Sequence, residues 1–479
     1  GSHPRRAAQP FPRRGRLRGP AVSGLIGATT GGGMASARQR IWGWYFFDFA
    51  SQPYNTLLLT FIFGPYIARV LGDGTAAQAA WGYGIAAAGV VIALASPILG
   101  AIADRTGGRL GWIRVFSAMY VTGAFGLWWA APGDLDLPFV LSCFALGLIG
   151  MEFATTFTNA MLPDLAPADR IGRVSGSGWA FGYVGGVLAL AVMLAFFVEQ
   201  ADGRTLLGLA PAFGLDPAGA EGTRAVGPFT ALWYAVFMVP FFLWVREPRR
   251  AGPVPLGPAV RHAWPDLRAS LAALPGRRSL SAYLLSSMAY RDALNGMYAF
   301  GGLYAAGVLG WEVVEVGLFG ILAAVTGAGF AWIGGRADER FGPMPVIRAC
   351  VVVLALVALG VALVSREAVF GLPVGPESRL PDAAFYALGA LIGAAGGALQ
   401  SASRTMMVRQ ADPARMTEGF GIYALAGKAT SFVAPFLVAV TTDLSGSQRL
   451  GVTPLIALFL IGLVLLSFVD PEGDRQADR

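Results

Sequence analysis

Twelve apolar runs of roughly 20 residues or more, at about 42–70, 79–102, 112–132, 138–162, 174–198, 228–245, 279–308, 314–335, 345–365, 383–408, 418–442 and 451–469, divide this chain. A helix of about 20 residues covers the ~30 Å of hydrocarbon in a bilayer, so each run predicts a membrane-spanning helix. The alternating segments of about ten residues that build membrane β-barrels are not found. Soluble domains carry about 25% charged residues to keep their surfaces wet. This chain carries 14%, with 55% hydrophobic, so lipid is the expected solvent for most of it.

One unit occurs twice. Gly100-x-x-x-Asp104-Arg105 returns as Gly334-x-x-x-Asp338-Glu339, each copy closing a long uncharged stretch, and Asp48 with Asp292 and Gly147-x-x-Gly150 with Gly393-x-x-Gly396 repeat at nearly the same offset. The expected fold is therefore an all-α membrane protein: twelve transmembrane helices in two six-helix pseudo-symmetric bundles. The expected division is a disordered Arg-rich tail over 1–40, a bundle over 41–245, a linker over 246–278, a second bundle over 279–470 and a tail over 471–479. Residues 1–33 begin Gly-Ser-His like the remnant of a cleaved tag, and Met34 reads as a natural start. Within the linker, Trp264, Leu267, Leu271 and Leu274 recur at helical spacing opposite Arg261 and Arg268, which predicts a short helix in the headgroup layer.

Arginine placement predicts orientation. With both termini in the cytoplasm, the cytoplasmic tails and loops hold 28 of the 36 Lys+Arg, the asymmetry that the positive-inside rule expects. The net charge of +7 is thereby explained by loops facing anionic lipid, and a nucleic-acid partner is not expected. Cys143 and Cys350 lie in separate spans, far from His3 and His262, so neither a disulfide framework nor a metal site is expected. No His-Glu-x-x-His, Gly-x-Ser-x-Gly or phosphate loop is present, which argues against an enzyme and against a bound cofactor.

Polar residues inside the spans are selective. Asp48, Gln52 and Asn55 share one face of span 1, and Glu152, Thr155, Thr156 and Asn159 one face of span 4. Span 7 carries Arg291, Asp292 and Asn295, and span 10 carries Gln400, Ser403 and Arg404. A charge at the bilayer centre costs roughly 2.5–3.5 kcal/mol by insertion scales, so such residues face a cavity or a partner. The polar faces belong to the first and fourth helix of each half, which predicts a central aqueous cavity between two bundles.

Asp48 and Glu152 are read as proton or substrate carboxylates, or else as ion-pair partners of Arg291, Arg404 or Lys428. Arg291 and Asp292 are neighbours about 100° apart on a helix, and Asp292, which repeats Asp48 as Tyr298 repeats Tyr54, is the expected cavity residue. Arg404 lies close enough to a span end to snorkel. Lys428 is the only lysine in the chain and sits in mid-span, where it is expected to meet a buried carboxylate or a substrate. Gly178, Gly182 and Gly186, like Gly389, Gly393 and Gly397, repeat every four residues and are read as close-packing faces.

The loop Gly100-Ala-Ile-Ala-Asp104-Arg105-Thr-Gly-Gly-Arg109 resembles the signature of the major facilitator superfamily, with a degenerate copy from Gly334 to Arg340. The resemblance covers about 40–470 and implies that helices 1, 4, 7 and 10 line the substrate path. A narrower likeness rests on Trp44-Tyr45-Phe-Phe-Asp48-Phe-Ala50-Ser51, on Asn159-Ala-Met-Leu162-Pro163, on Gly172-Arg173-Val-Ser175 through Tyr183, on Tyr290-Arg291-Asp292 and on Gln400-Ser-Ala-Ser-Arg404. These are similar to the vacuole-effluxer branch, the autophagy-related amino-acid exporters, and its bacterial relatives; Asp292-Ala293 departs from that branch's Asp-Gly. The resemblance implies that Asp104 latches an inner gate against the N-terminus of span 11, with Asp338 acting likewise on span 5, and that Gly100, Arg105, Arg109 and Gly334 belong to the gate.

The expected function is secondary active transport of a small metabolite, an amino acid or similar zwitterion, by alternating access, with proton-coupled export as one reading. The rivals are export of drug-like amphipathic cations and, from another class, a membrane sensor or lipid scramblase. Expected partners are a small-molecule substrate, the lipid bilayer and a coupling proton, with the protein a monomer. Near-exclusive use of arginine over lysine, with abundant Ala and Gly, points to a GC-rich bacterial gene and hence the inner membrane.

Overall fold

The structure is a computed structural model that describes residues 35–71, 74–200, 202–247, 254–311, 313–375 and 377–474. Residues 1–34 of the expected tail over 1–40, the linker residues 248–253 and the C-terminal residues 475–479 lie outside the described residues, while 37–40, expected in the disordered tail, form the first turn of a helix. Helices are numbered here by the expected span they occupy. Among the described residues eleven, not twelve, are long and apolar enough to cross a membrane: helix 1 (Ala37–Leu71), helix 2 (Gly82–Thr106), helix 3 (Arg109–Trp129), helix 4 (Leu137–Asp164), helix 5 (Ile171–Phe196), helix 6 (Glu221–Trp244), helix 8 (Glu315–Phe341), helix 9 (Pro343–Ala362), helix 10 (Leu380–Gln410), helix 11 (Pro413–Ser445) and helix 12 (Gln448–Phe468).

Helix 7 (Arg278–Leu309) is the departure from the expected twelve. Its 32 residues reach roughly 48 Å at 1.5 Å per residue, ample for a crossing. It falls short in apolarity because Ser281, Ser286, Ser287, Arg291, Asp292 and Asn295 all sit on it. The protein is a multi-pass membrane protein with one conspicuously polar helix.

Local sequence sets the ends and breaks. Ser36 and Gln39 form a capping box at the start of helix 1, each side chain accepting the other's backbone N–H. Pro53, which lacks an N–H, is followed by a π-helical stretch over Tyr54–Phe61. Gly310, at φ 68°, stops helix 7 in the left-handed region that glycine adopts without strain. Helix 11 consists of two pieces, Met416–Ala429 and Val433–Ser445, and the break falls beside Lys428.

Helices before the linker meet those after it along two seams: helix 2 on helix 11, and helix 5 on helix 8. Helices 5 and 10, and helices 4 and 11, add smaller contacts. The seams are closest toward the end that carries the linker. There a Cβ on Gly100 would lie 2.6 Å from the Thr417 carbonyl oxygen, and one on Gly421 2.5 Å from the Pro97 Cα, so only glycine permits the approach.

Both glycine rows lie in helix contacts. A Cβ on Gly178 would reach the Trp44 ring and Asp48, and Gly182 and Gly186 also face helix 1. Gly389, Gly393 and Gly397 face Phe319, Ala323 and Gly327 of helix 8. The repeat is visible in packing too: Tyr54 fills the hollow over Gly147, and Tyr298 fills the one over Gly396.

A helix over Leu256–Ala273 lies in the linker. It docks on helix 2 through Ala259 and Ala263 against Ile102, while Trp264 is exposed. Of the expected stripe, Leu267 is buried and Leu271 and Leu274 pack on the core, so Trp264 alone departs from it, and the small residues Ala259 and Ala263 add the close approach to helix 2.

Candidate functional site

Two acid–base pairs span the interior, each joining a helix before the linker to one after it. Arg404 of helix 10, only 4% exposed, does not snorkel to the bilayer edge. Its Nη1 donates to Asp48 Oδ2 of helix 1 at 3.2 Å and to Asn159 Oδ1 of helix 4 at 3.1 Å. Its Nε and Nη2 donate to the Ser175 hydroxyl and carbonyl of helix 5 at 2.9 and 2.7 Å. The guanidinium also stands over the Trp44 ring, with Trp179 on a further side. One cation thus ties together four helices.

The second pair lies deeper. Lys428 Nζ of helix 11 donates to Glu152 Oε1 of helix 4 at 2.8 Å. Both side chains keep partial exposure, 31% and 25%, so this pair lines a hollow instead of a sealed core. Arg291 of helix 7 stacks on Tyr423 with its guanidinium carbon 4.3 Å from the ring centroid, and Glu152 is within its electrostatic reach. Its Nη1 is buried with no hydrogen-bond partner among the described residues.

Several expected cavity residues sit elsewhere. Asp292 is 3% exposed, and its Oδ2 accepts the Ala434 N–H at 2.9 Å, capping the second piece of helix 11. The 100° turn per residue sets Arg291 against Tyr423 and Gly427 on the first piece of helix 11 and Asp292 against the start of the second piece. Tyr54 is fully buried among Tyr120 and Phe144, donating to the Phe144 carbonyl, so it belongs to the core. Thr156 is buried and returns its hydroxyl to the Glu152 carbonyl one turn back.

Gln52 and Asn55 are half-buried on helix 1, Gln52 against Gly186. Asn295 is exposed. Tyr183 stands between Tyr298 and Gln400, whose amide lies 3.5 Å from its hydroxyl.

At the linker end the repeated tetrad makes unequal contacts. Asp104 is buried, and its Oδ2 accepts the Glu418 N–H at 2.8 Å at the start of helix 11. Helix N-termini favour a carboxylate in this position. Arg109, 6% exposed, gathers Asp104 at 3.7 Å, Asp164 at 2.9 Å and the Ala160 carbonyl, while Glu247 accepts its backbone N–H. Burial raises the Glu247 carboxyl above the usual range, partly offset by the Arg109 and Leu110 N–H groups.

Arg105 pairs with Asp266 on the linker helix, and Arg415 joins Glu418 to Ser270. Gly334 of helix 8 packs on Ala398. Asp338 is pressed against Gly172 at the start of helix 5, but neither of its carboxylate oxygens has a hydrogen-bond partner among the described residues, so the second copy does not reproduce the hydrogen-bonded helix cap expected of it. Ser175 was named only within a family motif and without a role, and Asp164, Glu247, Asp266 and Arg415 were not singled out from the sequence. Each is an isolated polar residue near a helix end, where a solvated role is the ordinary one.

A predominantly helical, membrane-spanning body with charges paired across an internal seam fits a transporter of the major facilitator superfamily, not an enzyme, and the relatives agree. Solved members share the fold: the transporter FucP in the outward conformation superposes with a TM-score of 0.66 at 14% identity, covering 90% of this chain and 98% of that one. The human organic anion transporter MFSD10 (TETRAN) gives 0.64 at 17% identity, covering 90% of this chain and 99% of that one. Residues 66–478 match the family described as "Vacuole effluxer Atg22 like", and the chain belongs to it.

An MFS-type transporter described as uncharacterized, YxiO of Bacillus subtilis (strain 168), is 26% identical over 442 residues, 91% of this chain and 96% of that protein. Autophagy-related protein 22-1 of Aspergillus niger is 25% identical over 315 residues, 64% of this chain. The alignment spans about half of that fungal protein, 48%.

Proposed function

We propose that the protein is a secondary active transporter that exports a small zwitterionic metabolite of the amino-acid class by alternating access. In this reading the halves 41–245 and 279–470 rock about the hollow between them. The observation that carries it is the make-up of the two interior pairs: Asp48 and Glu152 come from one half, Arg404 and Lys428 from the other. Parting the seam at the linker end pulls each acid away from its base. A ligand carrying both charges supplies replacement partners at that moment, and a proton on Glu152 or Asp48 does the same for the acid alone.

The gate of this carrier is the cluster of Gly100, Asp104, Arg105 and Arg109 against the start of helix 11, with Gly334 and Asp338 at the second seam. Export rests on the family's description as an effluxer. The Lys/Arg distribution supports a bacterial inner membrane with both termini in the cytoplasm.

Counterflow in sealed proteoliposomes tests the reading. Labelled amino acids are expected to accumulate transiently against an unlabelled internal pool. Exchange of tetraphenylphosphonium alone would establish the amphipathic-cation reading in its place, and lipid flipping without solute exchange would establish a scramblase.

A further inference from the structure

Away from the linker end, Arg291, Arg404 and Lys428 lie inside the helical body among the described residues, and two already face carboxylates: Arg404 meets Asp48 and Lys428 meets Glu152. Arg291 has no carboxylate within ion-pair distance among the described residues, and its Nη1 is buried without a hydrogen-bond partner. An uncompensated buried donor of this kind carries a desolvation cost, larger for a charged group than for a neutral one. Its surroundings hold the guanidinium in place without neutralising it. Tyr423 supports one face, and Gly427 leaves the space it fills, since a Cβ there would lie 2.9 Å from Arg291 Nη1.

Next to Gly427 in sequence is Lys428, with Glu152 attached to it. Helix 11 breaks immediately afterward, its second piece starting at Val433, and Asp292 occupies that helix end. The neighbouring carboxylate of helix 7 is therefore committed to the cap and does not turn to Arg291.

We infer that Arg291 is the carboxylate anchor of the transported ligand and that Glu152, released by Lys428, takes the ligand's ammonium group. This assignment rests on the transporter reading above. An α-amino acid carries the two charges a few ångströms apart, which suits an anchor packed on Gly427 and an acid held by the next residue, Lys428. A planar guanidinium with free donors is suited to bidentate recognition of a carboxylate. The ligand then exchanges one internal pair for two ligand pairs, and Lys428 is left to release its proton or to find another acid.

Direct binding to purified, full-length protein in detergent tests this with three probes of one carbon skeleton: leucine, leucinamide (ammonium only) and 4-methylpentanoate (carboxylate only). Leucine is expected to bind wild type most tightly. Arg291→Gln is expected to weaken leucine and 4-methylpentanoate about tenfold or more while leaving leucinamide unchanged; Glu152→Gln is expected to weaken leucinamide and spare 4-methylpentanoate.

Gly427→Ala, which keeps every charge and only displaces the guanidinium, covers the case in which Arg291→Gln does not fold, and is expected to weaken 4-methylpentanoate selectively. If leucine binds wild type and both Arg291→Gln and Gly427→Ala equally well, the anchor assignment is overturned and the transporter reading stands. If wild type binds none of these nor any other amino acid, yet exchanges tetraphenylphosphonium, the zwitterion reading itself is overturned.

Discussion

Arg404 shows how much one buried residue can organise. Its five N–H donors are distributed over Asp48, Asn159 and Ser175, on three helices other than its own, and removing it leaves the Asp48 carboxylate buried without its cation. Breaking a buried pair from one side typically costs about 3–5 kcal/mol. Arg404→Ala is thus expected to lower the thermal unfolding midpoint in detergent sharply, and adding Asp48→Asn is expected to recover part of the loss, because the stranded charge is gone. A full additive loss in the double variant would falsify the pairing.

Asp292 belongs to a different class. Asp292→Ala is expected to cost about 0.5–2 kcal/mol through the lost helix cap, with Asp292→Asn nearly neutral and ligand affinity unaffected in both, as binding and melting curves would report. From the sequence, the acidic member of Arg291-Asp292 looked like the cavity residue because it repeats Asp48. Adjacent helical positions point different ways, and which one meets the hollow is fixed by how helix 7 is rotated against helix 11, a tertiary choice no local pattern records.

At the scale of elements, the contact between helices 2 and 11 depends on the absence of side chains. Gly100→Ala places a methyl group against backbone atoms of Thr417 and Glu418 that have no rotamer to move away. It is expected to favour the conformation in which these helices are parted, and so to speed alkylation of a cysteine placed at Met416 in a Cys143→Ala, Cys350→Ala background. The motif Gly100-x-x-x-Asp104 made this seam legible in advance only through its resemblance to the superfamily signature, which implies a carboxylate at the start of span 11.

The linker helix was legible as a helix and not as a strap. Its ion pair, Asp266 with Arg105, joins residues 161 positions apart, and nothing in the sequence around Asp266 distinguishes it from a solvated acid. Arg105 holds the Asp266 carboxyl below the usual carboxylate range. The stabilisation is therefore fully present above the unfolded value of about 3.9 and is lost only as pH falls through the lower folded value. Hydrogen-exchange protection over Leu256–Ala273, corrected for the intrinsic base-catalysed rate, is expected to be unchanged between pH 5 and 8 and to fall at neutral pH in Asp266→Ala.

For the whole molecule, the asymmetry of the two tetrads has a consequence. Asp104 caps helix 11 directly, whereas Asp338 has no such N–H on helix 5, so the two seams hold the linker end shut with different strengths. Asp104→Asn is expected to shift the population toward the state open at the linker end more than Asp338→Asn does, read out by double electron–electron resonance between spin labels on helices 2 and 11. The duplicated architecture could be seen in apolar runs and repeated glycines because lipid imposes length and spacing on every crossing. What could not be seen was which carboxylate would meet which base, since three interior acids and three interior bases allow several pairings and only the docking of the two halves selects among them.

Lysine occurs once in this chain, at position 428, and there it grips Glu152 in the hollow. Every other basic side chain is a guanidinium or an imidazole, so an amine-acylating reagent has a single side-chain target in the entire protein. The rate at which that one amine is acylated becomes an intrinsic gauge of how often the Glu152 clasp lets go, readable by mass spectrometry on native protein with no engineered reporter.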